Sequence, residues 1–127
     1  DGLSFERYLE IAACFVDKKV VVITDNDSDY AGNVQSKYSS YQQFQNIKVF
    51  SDLDNDNRTF EICIYNNNKA LLDSSSLTKS KDLPGYMLRE KAEFALRLLE
   101  QLETDNISEK FIIPNYIKEA IEWIIKD

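Results

Sequence analysis

The 127-residue sequence contains no histidine, and that absence removes several kinds of active site. Serine and cysteine nucleophiles that depend on a histidine base are excluded, and so are zinc sites built on histidine ligands. The two cysteines, Cys14 and Cys63, stand far apart and form no Cys-x-x-Cys pair. We therefore expect neither a thiolate zinc site nor a disulfide scaffold, and we predict two buried free thiols.

Long apolar runs are also missing. No stretch approaches the roughly 20 apolar residues that a membrane helix needs. No secretory signal pattern precedes the first helix-like segment. We expect a cytoplasmic protein with no membrane partner.

Basic residues are fewer than acidic ones: the chain has 15 Lys and Arg and 22 Asp and Glu, which gives a formal net charge of −7. An acidic surface does not attract nucleic-acid phosphates on its own. A nucleic-acid partner would therefore require positive potential from a metal ion or from another domain.

The most informative stretch that is present spans residues 19–29, where an apolar, mostly β-branched run leads into Asp25, Asp27 and Asp29. Such a run predicts a strand at residues 19–24 that is buried on both faces, as in parallel sheets covered by helices. In open α/β sheets, ligands bind beyond the carboxyl ends of the strands. The acidic residues therefore lie where a site is expected.

The remaining pattern predicts an α/β fold in a single domain, with a mostly parallel sheet flanked by helices. Alternating polarity at residues 58–65 indicates a third strand. Residues 66–82 have the composition of a mobile surface stretch, with one helical turn around Ala70 to Leu72. The other expected elements are an amphipathic helix at 3–17, a helix at 31–45, a strand at 47–50, a long helix from 82 to about 103, and a last helix from Ile112-Ile113-Pro114.

Asp25 and Asp27 are candidate metal ligands. At a strand end, residues two apart point the same way, and carboxylate oxygens suit a hard cation such as Mg²⁺. The alternative is that these acids cap a helix that begins at Ala31. An EF-hand is not expected, because Tyr30 and Ser36 occupy positions that require glycine and glutamate.

Two further residues are candidates for chemistry. Glu61 lies near the start of the predicted third strand and would approach Asp25 and Asp27 if that strand ran antiparallel to the first. Lys91 shares a helical line with Met87, Phe94 and Leu98, so it could place a cation near the acidic residues. A solvated strand glutamate and a snorkelling lysine are the structural alternatives.

Seven tyrosines are present, and three of them, Tyr30, Tyr38 and Tyr41, follow the acidic stretch. Their spacing permits stacking on nucleic-acid bases. The same spacing is that of a helix packed on a sheet, and core packing is the preferred interpretation.

Four ordered motifs carry a resemblance to a known family. The sequence resembles the second half of a Toprim domain, in the form found in the OLD (overcoming lysogenization defect) family of ATP-dependent endonucleases, a group that includes the Gabija-type phage-defence nucleases. The motifs are VVVITDND at 20–27, TFE at 59–61, KAEFAL at 91–96 and PNYIKEAI at 114–121.

This resemblance implies a metal-dependent DNA endonuclease. It implies that Asp25 and Asp27 bind Mg²⁺ or Mn²⁺, that Glu61 assists a second metal or the shell of the first, and that Lys91 acts near the scissile phosphate. Phosphodiester hydrolysis with two metal ions would fit this set.

One departure from the family pattern is serious. Toprim domains carry a glutamate on an earlier strand, and neither that strand nor the family's N-terminal ATPase, through which ATP would act, is present. We therefore expect residues 1–127 to be a partial Toprim domain from the C-terminal part of a longer nuclease, weak or inactive alone. Its expected partners are DNA, the ATPase domain of the same protein and further copies of itself.

Two other functions remain open. The chain could be a non-catalytic α/β interaction or dimerisation module, which the acidic charge favours. A receiver-like phosphorylation domain is disfavoured, because it needs a lysine at the end of a late strand and Lys91 is predicted in a helix.

Overall fold

The computed structural model describes residues 2–104 and 107–127, with side chains from Phe5 onward. The described chain is mixed α/β, as expected, and forms two compact units, Asp1–Arg58 with Asn115–Asp127, and Thr59–Pro114. In chain order the elements are α1 (Gly2–Ala12), β1 (Val20–Ile23), β2 (Ile47–Phe50), α2 (Phe60–Asn67), α3 (Lys69–Asp73), α4 (Leu83–Arg89), α5 (Lys91–Thr104) and α6 (Asn115–Ile125).

The first unit is built on a small parallel sheet of β1 and β2, in which Val20 lies opposite Ile47 and Ile23 opposite Phe50. On one face, Val22 and Ile47 are buried against α1 and the ring of Tyr38. Residue 48 points to the other face. There α6 contacts both strands, and the ammonium of Lys48 lies 5.4 Å from the centroid of an α6 indole ring.

The burial of β1 is less complete than its sequence predicts. Val22 is buried and Val20 and Val21 are half-buried, but Ile23 is 41% exposed. Within the described part of the chain, β2 is the one strand that pairs with β1. The outer edge of β1 is therefore open, and this accounts for the exposure of an apolar strand residue.

Helix α1 ends at Ala12, so the prediction of a helix to residue 17 is wrong at its C-terminal end. The cause is tertiary. The side-chain amide of Asn46 donates to the carbonyl oxygens of Ala12, Phe15 and Lys18 at 3.1, 3.2 and 2.9 Å. These bonds satisfy carbonyls that a continuing helix would have paired, and they hold the chain in turns that lead into β1.

The helix expected at 31–45 forms only in pieces. A π-helical turn occupies Ala31–Ser36 and a 3₁₀ turn occupies Ser39–Tyr41. Val34 and Tyr38 are buried beneath these turns. Burial of these two side chains fixes the segment, whose polar sequence gives a regular helix little apolar surface to pack.

In the second unit, the predicted third strand is wrong, because residues 60–67 form α2. Thr59 caps this helix, with its side-chain oxygen accepting from the backbone N–H of Ile62 at 3.4 Å. Ile62, Cys63 and Ile64 are all buried although they are consecutive. A short helix that is buried around much of its circumference loses the 3.6-residue pattern, and the strand-like alternation was misleading.

The long helix expected from residue 82 is two helices, α4 and α5, which are separated at Glu90 (φ −117°, ψ 52°). Asp82 caps α4 by accepting from the backbone N–H of Gly85 at 3.1 Å. The apolar line predicted through Met87 and Phe94 is buried across the break. The break makes Lys91 the first residue of α5.

The segment at 66–82 is more ordered by packing than its polar composition suggests. Leu72, in α3, and Leu77 are each 1% exposed and belong to the core of the second unit. Asn68 ties the segment down, because its amide donates to the carbonyls of Ile64 and Ile112 and accepts from the N–H of Ile112 at 2.7 Å. The prediction of a surface stretch is therefore wrong at Leu72 and Leu77, whereas the helical turn predicted around Ala70 to Leu72 is confirmed by α3.

None of the helices in the described ranges combines the length and the apolar character that crossing a bilayer requires.

The stability of the second unit should fall in alkali through Tyr65, whose hydroxyl donates to the Asp73 carboxylate at 3.1 Å. Burial, followed by this hydrogen bond and the Asp73 charge, raises the pKa of Tyr65 above its ordinary value of 10.0. The stabilisation is therefore complete below about pH 10 and is lost as the pH rises through the raised pKa. Denaturant unfolding between about pH 8 and 11.5 should show a shallower loss for Tyr65→Phe than for the unmodified chain.

Tyr8→Phe is the matched control, since Tyr8 is 69% exposed. It should leave the pH profile of stability unchanged. Parallel profiles for the unmodified chain and Tyr65→Phe would contradict the assignment.

Candidate functional site

Asp25 and Asp27 lie beyond the carboxyl end of β1, in a segment of residues 24–30 that we term the first acidic loop. The strand ends at Ile23, and Asp27 and Ser28 have left-handed backbones with φ of 49° and 69°. The strand geometry that was expected to point Asp25 and Asp27 the same way therefore does not apply to these residues. Aspartate tolerates the left-handed region better than most side chains do, and a bond from its N–H to the carbonyl of Arg58 at 3.0 Å holds Asp27 there.

Asn26 organises this loop from within. Its side chain is fully buried, and its amide nitrogen donates to the carbonyls of Asp52 and Asp54, each at 2.9 Å. Its amide oxygen accepts from the N–H of Ser28 at 2.9 Å. Asn33 closes the arrangement by donating to the carbonyl of Asn26 at 3.0 Å. One neutral amide thus joins the segments that follow the two strands.

The second of these segments, residues 51–58, we term the second acidic loop. It winds through two turns in which the Asp52 carboxylate accepts from the N–H of Asp54, and the Asp54 carboxylate from the N–H of Asp56, both at 2.9 Å. Asn55 contacts the first acidic loop by accepting from the N–H of Tyr30 at 2.9 Å. Because parallel strands end at the same edge of a sheet, both acidic loops lie at one edge.

The carboxylates at this edge differ in their hydrogen bonds and in their exposure to solvent. Asp29, Asp52 and Asp54 accept hydrogen bonds from backbone N–H groups within or next to their own loops. The Asp29 carboxylate accepts from the backbone N–H of Gly32, in the π-helical turn, at 3.1 Å. Asp25 is half-buried, whereas Asp27 is exposed to solvent.

Glu61 and Lys91 form an ion pair in the second unit, with 3.4 Å between the glutamate Oε1 and the lysine Nζ. The Glu61 side chain is only 10% exposed, and its Oε2 is buried and accepts no hydrogen bond from any described residue. Glu61 lies in the first turn of α2, where a negative charge favours the helix dipole. The Lys91 side chain is 56% exposed, so solvent reaches the cation.

The structure therefore brings the predicted residues together in two pairs. Asp25 and Asp27 share a loop of the first unit, and Glu61 and Lys91 pair in the second. Glu61 was expected to approach the aspartates on a strand antiparallel to β1. That strand does not form, because Glu61 lies in α2. Across residues 2–104 and 107–127, no group of three or more His, Cys, Asp or Glu is placed to hold a metal ion.

The donor chemistry still suits a hard cation, because carboxylate oxygens are ligands that Mg²⁺ prefers. Magnesium sites commonly use one or two carboxylates and complete the octahedron with water and substrate phosphate oxygens. Ser51, which directly follows β2, has a buried hydroxyl with no hydrogen-bond partner among the described residues. The suitability of this edge for Mg²⁺ rests on Asp25 and Asp27, which together would form a two-carboxylate site.

Sequence reasoning missed the residue that positions the loops. Asn26 stands between two candidate ligands, and an amide beside a strand end is a recognisable signal for a buried loop anchor. It also misplaced one thiol. Cys63 is buried as predicted, but Cys14 is exposed because α1 ends before it.

Comparisons with protein-family models, with curated proteins and with solved structures found no match for this chain.

Replacement of Asn26 should test its anchoring role. Asn26→Ala leaves two carbonyls and one N–H without their partner in a buried place, so we expect the free energy of unfolding to fall by about 2–4 kcal/mol. Asn26→Asp should be at least as destabilising at neutral pH, since a carboxylate would face the carbonyls of Asp52 and Asp54. Denaturant unfolding at about pH 7 and pH 4 measures both changes.

The matched control is Asn55→Ala, which removes one hydrogen bond at an exposed position. It should cost about 1 kcal/mol or less. Equal effects for Asn26→Ala and Asn55→Ala would contradict the anchoring role of Asn26.

The ion pair of the second unit should respond asymmetrically to mutation. Lys91→Met leaves the largely buried Glu61 carboxylate without its cation, so we expect unfolding free energy to fall by about 1–3 kcal/mol at pH 7. Glu61→Gln removes the buried charge itself and should change stability by less than about 1 kcal/mol. Thermal or denaturant unfolding compares the two variants.

The double variant discriminates further. Combining Glu61→Gln with Lys91→Met should restore most of the stability that Lys91→Met loses, because the uncompensated charge is then gone. Additive losses would show that the two side chains do not interact energetically.

Proposed function

We propose that this chain is the C-terminal Toprim part of a metal-dependent DNA endonuclease of the OLD type, in which Asp25 and Asp27 hold Mg²⁺ or Mn²⁺. The observation that carries the proposal is the placement of both residues beyond the carboxyl end of a parallel strand, in a loop fixed by buried Asn26. This edge of a parallel sheet is where α/β proteins bind their ligands.

The two carboxylates would act through a hard cation that also contacts a phosphate of DNA. A bound Mg²⁺ or Mn²⁺ would supply a water-derived nucleophile and stabilise charge on the phosphate. The chain contributes a fixed backbone around Asp27, through the hydrogen bond to Arg58, and an exposed carboxylate on it. With a net charge of −7, the protein depends on this metal and on other domains to offset its repulsion of DNA.

In this proposal Lys91 keeps the role that the family resemblance implies, and Glu61 has a positioning role. Lys91 presents a solvent-accessible ammonium to a phosphate oxygen, and Glu61, through its contact at 3.4 Å, positions that ammonium. Support comes from the ion pair itself, since a largely buried carboxylate paired with an exposed lysine restricts where the cation can be. A role of Glu61 toward a metal ion stays a prediction.

The proposal includes a further segment that supplies the Toprim glutamate. The outer edge of β1 pairs with no strand in the described part of the chain. Beside this edge lies an apolar groove formed by α1 and β1, in which Tyr8, Ile11 and Phe15 are between 57% and 69% exposed. A strand that paired with β1 there would bury this surface and add a carboxylate near the first acidic loop.

A non-catalytic interaction module is the second candidate function, and the same groove favours it. Exposed apolar surface beside an unpaired strand edge is typical of protein–protein contact sites. The lack of a three-ligand metal group among the described residues points the same way. Metal binding separates the two candidates.

A titration with Mn²⁺ should locate the site. At millimolar Mn²⁺, paramagnetic broadening in NMR spectra of the chain is expected to be strongest at Asp25 and Asp27. Asp25→Asn should raise the Mn²⁺ concentration needed for the same broadening at least tenfold. Asp17→Asn is the control, because Asp17 is exposed and precedes the opposite end of β1. Broadening that is uniform over all surface carboxylates would favour the interaction module.

Activity provides an independent test. The isolated chain should nick supercoiled DNA weakly or not at all with Mg²⁺ or Mn²⁺, because the described residues contain no strand that carries the Toprim glutamate. Strong metal-dependent nicking by the chain alone, abolished by Asp25→Ala, would show that the site needs no further segment. Strong nicking that survives Asp25→Ala would contradict the assignment of the site.

A further inference from the structure

A cavity of about 340 Å³ lies along the outer edge of β2 in the first unit, within the size range of small-molecule sites. Its floor is apolar and aromatic. Tyr38 and Ile47 are buried, and Phe44 packs against the same core cluster. Tyr30 and Tyr41 add two half-buried rings to the lining. The cavity thus offers several aromatic faces on which a planar ring can stack.

The rim of this cavity is made of amides. Gln35, Gln42 and Gln45 line it and are exposed. None of their side-chain amides forms a hydrogen bond with another residue in the described ranges, in contrast to the neighbouring Gln43, which donates to the carbonyl of Ser40 at 2.9 Å. Each amide group can both donate and accept. The three can therefore recognise a ligand that carries both kinds of polar group.

The strand edge adds backbone groups to this set. The carbonyls of Asn46 and Phe50 accept from β1, so the backbone groups of the even-numbered residues face β1. The N–H and carbonyl of Val49 consequently face away from β1, on the side of the cavity. No other strand of the described chain pairs with this edge. A donor and an acceptor on one strand residue match the adjacent acceptor and donor on the edge of a nucleobase.

The cavity is neutral in an acidic protein. The chain has 22 Asp and Glu, yet neither residue type is among those that line the cavity. Lys48 is the charged residue of the lining, but its ammonium lies 5.4 Å from the ring centroid of Trp123, on the opposite face of the sheet. The recognised group is therefore uncharged, which disfavours a phosphate or a carboxylate.

We propose that this cavity binds a nucleobase. The base stacks on the aromatic rings of the lining, and its edge forms hydrogen bonds with the Val49 backbone and the glutamine amides. The Tyr41 hydroxyl donates to the carbonyl of Glu6 at 3.2 Å, and this bond fixes the orientation of that ring. Neither Asp25 nor Asp27 lines the cavity, so base binding does not depend on the metal site. The base can belong to a free nucleoside or to a single strand.

The chemistry of Tyr41 agrees with a neutral site. Burial, and then the charges of Glu10 and Glu6, raise the pKa of Tyr41 above its ordinary value of 10.0. Its ring therefore belongs to a neutral phenol throughout the physiological pH range, and a neutral base can stack on it without facing a phenolate.

NMR titration of the whole chain tests the proposal, in a buffer with a metal chelator and about 0.2 M salt. The probes are the four common nucleosides and six-nucleotide single-stranded DNA of single base composition. We expect saturable shifts at the backbone amides of Val34 and Val49 and at the side-chain amides of the rim glutamines. Gln42→Leu and Gln45→Leu should each weaken binding about threefold to tenfold. Gln43→Leu, the matched control, should leave affinity unchanged.

The probes distinguish the source of the base. Saturation by nucleosides as well as by DNA identifies a free nucleoside site, and saturation by DNA alone identifies a base of a strand. Either result supports the proposal. Absence of saturable shifts at Val34 and Val49 with every probe would overturn it, as would an equal weakening by Gln43→Leu and Gln42→Leu. Because the chelator removes metal ions, failure here is separate from failure of the metal site.

Discussion

Buried asparagine amides hold the loops of this protein in place, and the rest of its structure depends on them. Asn26, Asn46 and Asn68 are each at most 6% exposed. Each amide donates to backbone carbonyls, and these bonds connect segments that are distant in sequence, such as the end of α1 with the turn before β2. Buried carbonyls that lie outside helices and sheets need such partners. A neutral amide supplies them without burying a charge.

The choice of an amide matters most at the acidic edge of the sheet. Six aspartates lie in the two acidic loops, and the residue that joins the loops is uncharged Asn26. A carboxylate in its place would face two carbonyl oxygens in a buried position. The amide therefore allows the acidic loops to close on each other while Asp27 stays exposed to solvent. The proposed metal site therefore depends on the burial of the Asn26 amide between the two loops.

The first unit has two chemically different surfaces, the acidic edge of the sheet and the cavity beside β2. The cavity beside β2 is aromatic and neutral, and the acidic loops are polar and charged. Both features depend on the same two strands, because β1 and β2 end at the acidic loops and β2 leaves one edge open beside the cavity. In the two proposals, a metal ion would hold a phosphate and the neutral cavity would hold a base, which are two of the three parts of a nucleotide. The arrangement is therefore consistent with a nucleic-acid ligand.

Hydrophobic periodicity is local information, and it was enough to predict the two parallel strands, the acidic residues at the end of the first strand, and the amphipathic segments of α1, α5 and α6. It did not determine that residues 60–67 are helical, since a short helix buried on several sides has lost that periodicity. Nor did it show that the left-handed backbone at Asp27 removes strand geometry from the acidic pair. The helix break at Glu90, the pairing of Lys91 with Glu61 and the anchoring of both acidic loops by Asn26 were decided by tertiary contacts. Contacts between residues that are far apart in the chain leave no trace in local pattern, and only packing selects them.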